Sequence, residues 1–333
     1  MPPAVSIIVP CYNEEATIGL LLEALLHQTY PRHQLEVIVA DGLSQDKTRE
    51  VIAAFQQAHP DLPVSIKDNP SRTIPAGLNV AAAAACGEVL VRLDAHCMPA
   101  REYVACCVEA IEAGKGSVVG GVWVIQPGGA GFISESIACA ASHPLGVGDA
   151  LYRLGAAEGP VDTVPFGAFR RSLFQQMGGY DEGLLTNEDY EFYTRVRGAG
   201  GVVWLDPAIR STYIARATLP ALARQYWRYG FWKRQMLRLH PRSLRWRQAL
   251  PPLFVLSLVA LGIVSIFLPL AGWLLLVEIA LYVLALAAAG LHAALTRSKP
   301  LLLPGLVLAI ATMHISWGSG FLWSLLSTPN LHG

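Results

Sequence analysis

Three segments with the same pattern determine the predicted fold: SIIVPCYNEE (residues 6–15), EVIVADGLSQD (residues 36–46) and VLVRLDAH (residues 89–96). Each begins with a short apolar run, of the length of a buried strand, and then turns polar. A fourth strand is expected at 64–67. Segments with helical spacing separate these strands, at 15–30, 46–59 and 74–86. This alternation predicts an α/β fold with a doubly wound parallel sheet.

Polar residues follow each predicted strand. In doubly wound sheets, ligands bind beyond the carboxyl ends of the strands. The four strand ends are Pro10–Glu14, Asp41–Asp46, Asp68–Arg72 and Asp94–His96. A single acid in such a place is ordinarily a turn former or a helix N-cap, and we expect Asp46 to be a cap. Four polar strand ends in succession indicate a ligand site instead.

Asp94 and His96 are candidate metal ligands. In an extended segment, residues two apart point to the same side. A carboxylate and an imidazole can then hold one divalent ion and leave positions for phosphate oxygens. For this tripeptide alone, a loop acid beside a surface histidine would be the simpler interpretation.

A second acidic segment, NEDYE (residues 187–191), is expected to open a helix that runs to about Gly198. Acids in a first helical turn are favoured by the helix dipole. Glu188 and Asp189 are also candidates for general-base work, because a carboxylate at a helix start can be aimed into a cleft.

The segment QYWRYGFWK (residues 225–233) mixes aromatic and basic residues at helical spacing. This pattern is typical of an amphipathic helix whose Trp and Tyr side chains lie at the depth of lipid headgroups. Gln225 and Arg228 can face a phosphate group in the same arrangement.

The composition divides the chain. Charged residues make up 15% and hydrophobic residues 53%, which excludes a disordered chain, a coiled coil and a collagen-like chain. The formal net charge is zero, so no basic field indicates nucleic acid as a partner. From Leu250 onward, the charged residues are Glu278, Arg297 and Lys299 alone.

Three apolar stretches follow Leu250, at about 253–270, 271–295 and 301–326. Each is long enough to cross a hydrocarbon core of about 30 Å, and the first two are expected to form a tight helical hairpin. Buried helices of a soluble domain are the weaker interpretation of three such stretches. Glu278 and His314 lie within the second and third stretches, where we expect local hydrogen bonds between helices.

Basic residues set the predicted orientation. Those before the first stretch are Arg216, Arg224, Arg228, Lys233, Arg234, Arg238, Arg242, Arg245 and Arg247. The loop between the second and third stretches adds Arg297 and Lys299. Because positive loops face the cytosol, we expect a multi-pass protein of the inner (cytoplasmic) membrane with a cytosolic N-terminal domain. Three crossings put residues 331–333 on the far side.

The joint pattern resembles a known family. NPSRTIPAGLN (69–79), RLDAH (92–96) and the segment at 225–233 are similar to the inverting glycosyltransferases of family 2, and within them to the succinoglycan-type, membrane-anchored glucosyltransferases. The resemblance covers about residues 4–235 and implies the GT-A fold, a Rossmann-like nucleotide-sugar domain. The implied division is a GT-A domain at 1–215, an amphipathic interfacial segment at 216–249 and a transmembrane domain at 250–333.

The resemblance also implies roles for the donor-binding residues. Pro10, Tyr12 and Glu14 match the strand end that contacts the nucleoside, and Asp41 matches the acid that recognises uracil. The family usually has two adjacent acids there, whereas this chain has Ala40 and Asp41. Asp94 and His96 occupy the position of the family's DxD metal motif, with histidine as the second ligand. Imidazole favours Mn²⁺ over Mg²⁺ as the divalent cofactor.

The catalytic residues follow from the same resemblance. Asp189 matches the base of the family's Glu–Asp pair, in which Glu188 is the other member. Gln225, Arg228 and Tyr229 match its donor-binding QxxRW motif, with tyrosine in place of the usual tryptophan. Either Arg72 or Arg228 is suited to neutralise the leaving diphosphate.

These residues predict an inverting hexosyltransferase of exopolysaccharide biosynthesis. We expect it to move a hexose, with glucose favoured, from a UDP-sugar to a polyprenyl-diphosphate-linked glycan at the membrane. One alternative is transfer to polyprenyl phosphate, and another is processive polymer synthesis with secretion, for which three spans are few. An inactive nucleotide-sugar-binding scaffold is the alternative outside enzymes, and the retained acids argue against it.

Overall fold

The computed structural model describes residues 2–327, without the side chain of Arg242. These residues form two compact units. The first comprises the described residues up to Val124 together with Gly155–Tyr213, and the second comprises Ile125–Leu154 and the described residues from Ile214 onward. The predicted location of residues 331–333 concerns a part of the chain outside the described residues.

The strands form one mixed sheet in the order β3-β2-β1-β4-β8-β6-β9-β5, with β7 paired to β9. They are β1 (Val5–Cys11), β2 (Leu35–Asp41), β3 (Val64–Asp68), β4 (Val89–Arg92), β5 (Met98–Pro99), β6 (Val118–Gln126), β7 (Gly159–Pro160), β8 (Ala168–Arg170) and β9 (Val203–Ile214). The four predicted strands are confirmed as β1 to β4, and they are parallel to one another. Beyond β4, strand β8 is antiparallel to β4 and β6, and strands β5 and β7 are antiparallel to β9, so the sheet is not parallel throughout.

The helices of the first unit are α1 (Ile18–Leu26), α2 (Thr48–Ala58), α3 (Ile74–Ala84), α4 (Tyr103–Glu112), α8 (Arg171–Met177) and α9 (Glu188–Gly198). The three predicted helices before β4 are confirmed with shorter bounds, and the predicted helix to Gly198 is confirmed as α9. In α1 the buried residues are Ile18, Leu21, Leu22 and Leu25, the spacing of one helix face packed on a sheet.

The register of the parallel strands aligns their polar ends. Cys11 of β1 is opposite Asp41 of β2, and Asp41 is opposite Asp68 of β3. All seven residues of β1 are buried, as in a parallel strand that is covered on both faces. The loops after β1, β2 and β3 therefore begin at the same edge of the sheet.

The segment after β4 differs from the expectation. Strand β4 ends at Arg92, and the N–H of Cys97 donates to the carbonyl of Asp94 at 2.9 Å. Asp94 and His96 thus lie in a tight turn and not in the extended segment that the sequence predicted for them. The turn forms because the chain must reverse direction to enter β5 at Met98.

The second unit is helical. Its helices are α5 (Phe132–Ala140), α6 (Pro144–Val147), α7 (Leu151–Leu154), α10 (Leu219–Leu239), α11 (Trp246–Val264), α12 (Pro269–Thr296) and α13 (Leu302–Leu326). The last three are long and apolar enough to cross a membrane. The tight hairpin between α11 and α12 is confirmed. The predicted first stretch, 253–270, is displaced, because α11 begins before its two prolines, Pro251 and Pro252, and ends at Val264.

Helix α10 packs along α13 at two glycines. A Cβ atom on Gly230 would lie 2.1 Å from the carbonyl oxygen of Trp317, and one on Gly320 would lie 2.4 Å from that of Trp227. Small residues allow this close approach of two backbones. Because Trp232 on α10 is buried as well, this helix has a packed face within its unit. Its location at the membrane interface stays a prediction.

Hydrogen bonds join the apolar helices, as predicted for Glu278 and His314. The hydroxyl of Ser257 on α11 donates to Glu278 Oε1 on α12 at 2.5 Å. His314 Nδ1 on α13 lies 3.0 Å from the hydroxyl of Tyr282 on α12, and its Nε2 lies 2.8 Å from the carbonyl of Leu145. Both polar side chains therefore hold neighbouring segments of the second unit together.

Candidate active site

Hydrogen bonds between the loops after β1 and β2 fix the predicted donor-binding edge. The N–H of Asn13 donates to Ser44 Oγ at 2.8 Å, and the N–H of Gln45 donates to Asn13 Oδ1 at 2.9 Å. Tyr12 is 42% exposed, and a Cβ on Gly42 would lie 3.1 Å from its ring. An exposed aromatic ring on a fixed edge is suited to stacking against a nucleobase.

Asp41 at the end of β2 is fully buried, and both of its carboxylate oxygens accept hydrogen bonds. The Ser44 hydroxyl donates to Oδ1 at 2.5 Å, while the Ser44 N–H and Arg49 Nε donate to Oδ2 at 3.1 Å and 2.5 Å. Arg49 Nη2 also donates to Asp68 Oδ1 at 2.5 Å. A ligand can reach the Asp41 oxygens only if Ser44 or Arg49 moves.

Arg72 lies beside the Tyr12 ring. Its guanidinium carbon is 5.9 Å from the ring centroid, and its backbone has a φ of +55° in the left-handed region. The loop is closed by Asn69 Nδ2, which donates to the carbonyl of Thr73 at 2.9 Å. Pro10, the remaining predicted nucleoside contact on β1, is buried beneath this edge. The arrangement puts one exposed cation next to the aromatic ring, where a diphosphate can meet it.

Glu14 and His96 form a polar pair beside Asp94. His96 Nδ1 lies 3.0 Å from Glu14 Oε1, and the Thr17 hydroxyl donates to the same carboxylate. Burial acts to raise the pKa of Glu14, but the hydrogen bonds from His96 and Thr17 outweigh it, so the pKa is lowered. Among residues 2–327, no group of three or more His, Cys, Asp or Glu side chains is arranged to hold a metal ion.

Arg92 connects Asp94 to the start of α9. Its Nη2 donates to Glu188 Oε1 at 2.8 Å and to Asp94 Oδ1 at 3.2 Å. The Arg92 and Glu188 side chains are almost fully buried, whereas the Asp94 side chain is 21% exposed. One guanidinium therefore joins two of the predicted site acids, which are 94 residues apart in sequence.

Asp189 is half-buried in the first turn of α9, and its Oδ1 accepts the N–H of Tyr190 at 2.7 Å. Burial and the negative charge of Glu188 raise the pKa of Asp189 to about 6, against the opposing effect of Arg92. A carboxylate with a raised pKa is a stronger proton acceptor than an ordinary aspartate. The general-base role of Asp189 stays a prediction, and the raised pKa is compatible with it.

Other acids near α9 have structural roles. Glu191 accepts two hydrogen bonds from Arg195, at 2.7 Å each, and Arg195 Nη2 also donates to the carbonyl of Gly179 at 2.7 Å. Asp181 Oδ1 accepts the N–H of Gly183 at 2.9 Å. These contacts fix the body of the helix and the turn before it.

Gln225, Arg228 and Tyr229 lie on α10, in the second unit. Gln225 Nε2 donates to the Tyr229 hydroxyl at 2.9 Å, so these two predicted donor-binding residues are together on one face. Arg216 Nε donates to Gln225 Oε1 at 3.4 Å, and Arg228 is exposed.

Two site residues, Arg49 and Arg92, are missing from the sequence-based prediction. The available signal for Arg92 was its charge at the end of an apolar strand, two residues before the candidate ligand Asp94. Arg49 has no such signal, because its two contacts exist only through the pairing of β2 with β3.

Comparison with known proteins identifies the chain's relatives. The family model described as glycosyl transferase family 2 matches residues 6–178. The succinoglycan biosynthesis protein ExoA of Rhizobium meliloti is 32% identical over 323 residues, which cover 96% of this chain and 94% of that protein. A dolichyl N-acetyl-α-D-glucosaminyl phosphate 3-β-D-2,3-diacetamido-2,3-dideoxy-β-D-glucuronosyltransferase of Methanococcus voltae is 28% identical, over 78% of this chain and 82% of that protein.

Solved structures share the fold. The mannosyltransferase PcManGT from Pyrobaculum calidifontis, in complex with GDP-Man and Mn²⁺, aligns with a TM-score of 0.60 at 23% identity and covers 94% of this chain and 87% of that one. Staphylococcus aureus TarS in complex with UDP aligns with a TM-score of 0.51 at 14% identity, over 95% and 90% of the two chains. At these identities the similarity concerns the GT-A fold.

Proposed function

The chain belongs to glycosyl transferase family 2, and we propose that it transfers a hexose from a UDP-sugar to a polyprenyl-diphosphate-linked glycan. Glucose is the hexose that we propose. The observation that supports this most directly is the acidic group around Arg92. It combines a partly exposed carboxylate, Asp94, at a strand end with a half-buried carboxylate of raised pKa, Asp189, at a helix start. A donor site next to a proton acceptor is what a single displacement requires.

The donor binds at the strand ends in this proposal. Tyr12 stacks on the nucleobase, and Arg72 faces the diphosphate from beside the Tyr12 ring. Asp41 holds Ser44 and Arg49 at the base-recognising edge. Gln225, Arg228 and Tyr229 are assigned to the donor from the family's motif alone.

The residues present fit a divalent metal. Asp94 and His96 lie in one turn and would hold it through an oxygen and a nitrogen donor. When bound, the metal neutralises charge that develops on the leaving diphosphate. This donor set is compatible with Mn²⁺ and Mg²⁺, and we propose Mn²⁺ because of the imidazole.

The reaction we propose is a single displacement. The acceptor hydroxyl oxygen bonds to the anomeric carbon as the bond from that carbon to the phosphate oxygen of UDP breaks. The hydroxyl proton passes to Asp189, and the configuration at the anomeric carbon inverts. Arg72 stabilises the departing diphosphate, and Glu188, tied to Arg92, supports Asp189 without accepting the proton.

A lipid-linked acceptor is supported by the three apolar helices and by the relatives. ExoA is named for succinoglycan biosynthesis, and the Methanococcus voltae relative is named for a dolichyl phosphate-linked sugar. The basic segment before α11 and the loop with Arg297 and Lys299 favour a cytosolic catalytic unit at the inner membrane. This orientation can be tested with a reporter enzyme that works only outside the cytosol, fused after Gly333. We expect the fused reporter to be active, and an inactive reporter would contradict the orientation.

A donor screen tests the proposed activity. Detergent-solubilised full-length protein is mixed with Mn²⁺, a polyprenyl-diphosphate-linked hexose and, in turn, UDP-glucose, UDP-galactose, UDP-N-acetylglucosamine and GDP-mannose. We expect nucleoside diphosphate release and an extended lipid-linked product with UDP-glucose. Tight binding of UDP without turnover of any donor would instead identify a nucleotide-sugar-binding scaffold.

A further inference from the structure

We propose that Arg92 is a positioning residue. It holds the start of α9, and with it Asp189, in a fixed position relative to Asp94, the carboxylate that the proposed function assigns to the donor. This inference rests on the proposed function and adds to it a residue to which the sequence analysis assigned no role. In the proposed reaction Arg92 contacts neither the anomeric carbon of the donor nor the hydroxyl oxygen of the acceptor. It acts through the two acids that it joins.

The contacts of Arg92 are directed to both sides of the site. Nη2 donates to Glu188 Oε1 at 2.8 Å and to Asp94 Oδ1 at 3.2 Å, and Nε lies 3.4 Å from the same Asp94 oxygen. The guanidinium carbon lies 6.0 Å from the centroid of the Tyr180 ring. A guanidinium has the fork of donors that such bridging needs, whereas an ammonium is a point charge.

Burial keeps the Arg92–Glu188 ion pair closed. Arg92 is 4% exposed and Glu188 is 6% exposed, so neither charge can exchange its partner for water. A buried charge is retained where it is paired and hydrogen-bonded. The Arg92–Glu188 pair therefore fixes the distance between the end of β4 and the first residue of α9.

The start of α9 needs an external anchor. Asn187, directly before the helix, is in the left-handed conformation with φ +70°, and its side chain makes no capping hydrogen bond. Such a backbone persists only where the surroundings hold it. Arg195 fixes the helix two turns later, through the carbonyls of Met177 and Gly179. Arg92 acts on the first residue of the helix, Glu188, which is the neighbour of Asp189.

Loss of Arg92 should consequently affect turnover more than donor binding. Asp94 keeps its carboxylate when Arg92 is removed, so its ability to attract a cation is not reduced. The first turn of α9 is released, and Asp189 moves relative to the acceptor hydroxyl. A displacement of about 1 Å at a reacting group lowers a rate by about 10²-fold.

The test compares Arg92→Met, Arg92→Lys and the double variant Arg92→Met/Glu188→Leu with the native full-length protein. The double variant removes both members of the buried pair, so neither is left buried without its partner, and Asp94, which also loses Arg92, is partly exposed to solvent. Arg170→Met is the matched control, because Arg170 pairs with Glu112 at the surface. The measurements are kcat and donor KM with the best donor of the screen, and the melting temperature.

We expect Arg92→Met and the double variant to lose about 10²-fold in kcat with donor KM changed by less than about threefold. Arg92→Lys should recover part of the loss, and Arg170→Met should behave as the native protein. The proposal is overturned if the double variant has the native kcat and the native melting temperature. It is also overturned if Arg92→Met weakens donor binding, seen as a rise in donor KM, by as large a factor as it lowers kcat. Absence of transfer by the native protein would overturn the proposed function itself, which separates the two failures.

Discussion

Glu188 and Asp189 are adjacent at the start of α9, but only Glu188 is bonded to a cation, through Arg92 Nη2 at 2.8 Å. The neighbouring carboxylate of Asp189 is half-buried and remains close to the negative charge of Glu188. The two acids therefore have different properties despite their proximity. Glu188 is held in a buried ion pair with Arg92, whereas the pKa of Asp189 is raised to about 6.

The raised pKa of Asp189 predicts the pH dependence of transfer. A base must be ionised to accept a proton, so activity should rise with pH through an acid limb near pH 6. Burial and Glu188 raise this pKa, and Glu188→Gln removes the second cause. We expect the acid limb of Glu188→Gln to move to lower pH in a profile of kcat. Glu182→Gln, at an exposed acid, should leave the profile in place, and an upward shift in Glu188→Gln would refute the assignment.

Arg49 is predicted to govern donor affinity through Asp41. Arg49→Ala removes one hydrogen bond from a fully buried carboxylate and releases Asp68 as well. We expect UDP affinity, measured by calorimetry, to fall about tenfold, because an unpaired buried charge costs more than one ordinary hydrogen bond. Arg32→Ala breaks only the exposed pair with Asp61 and should leave UDP affinity unchanged. Equal affinities in the two variants would contradict this role.

The metal prediction separates Asp94 from His96. Asp94→Ala removes a charge and a ligand, so Mn²⁺-dependent UDP binding should be lost more completely than in His96→Ala. His96→Ala should also raise the pKa of Glu14, since the hydrogen bond that lowers it disappears. His27→Ala, at an exposed histidine on the same unit, serves as the control. Full transfer activity of the native protein in excess EDTA would exclude the metal role.

Arg228 and Arg238 are both cations of α10 and provide a matched pair. If Arg228 has the donor-binding role of the family's motif, Arg228→Ala should lower turnover about 10²-fold and Arg238→Ala should change it little. Both variants remove one positive charge from the basic segment, so flotation with anionic vesicles should report the same membrane association for each. Equal turnover of the two variants would reduce α10 to an anchor.

The sequence predicts those strands and helices whose apolar residues follow a regular local spacing. The apolar runs of β1, β2 and β4 mark buried strands, and the spacing of Ile18, Leu21 and Leu25 marks a helix face. The strands beyond β4 were not predicted. The strands β5 and β8, of two and three residues, leave no periodicity, whereas β6 and β9, of nine and twelve residues, are long enough to be recognised from their apolar residues. The bounds of α11 were missed since Pro251 and Pro252 resemble a helix start but lie inside the helix.

The site was predictable as a set of acids, but not as a set of ion pairs. Asp41, Asp94 and Asp189 stand out by their position after strands or at a helix start. The contacts that give each its properties join residues far apart in sequence, such as Arg92 with Glu188. The turn at Asp94–Cys97 depends on the entry into β5, which the tripeptide Asp-Ala-His does not specify.

The most direct test of the account is the transfer rate of Asp189→Asn, measured together with its affinity for UDP. Asparagine keeps the shape of the side chain but cannot accept the acceptor's proton, so the rate at saturating donor should fall by about 10²–10⁴-fold. UDP affinity should remain native, because no donor-binding role falls to Asp189, and Asp181→Asn should retain full transfer. Near-native transfer by Asp189→Asn would show that another acid is the base, and loss of UDP binding would put Asp189 in the nucleotide site instead.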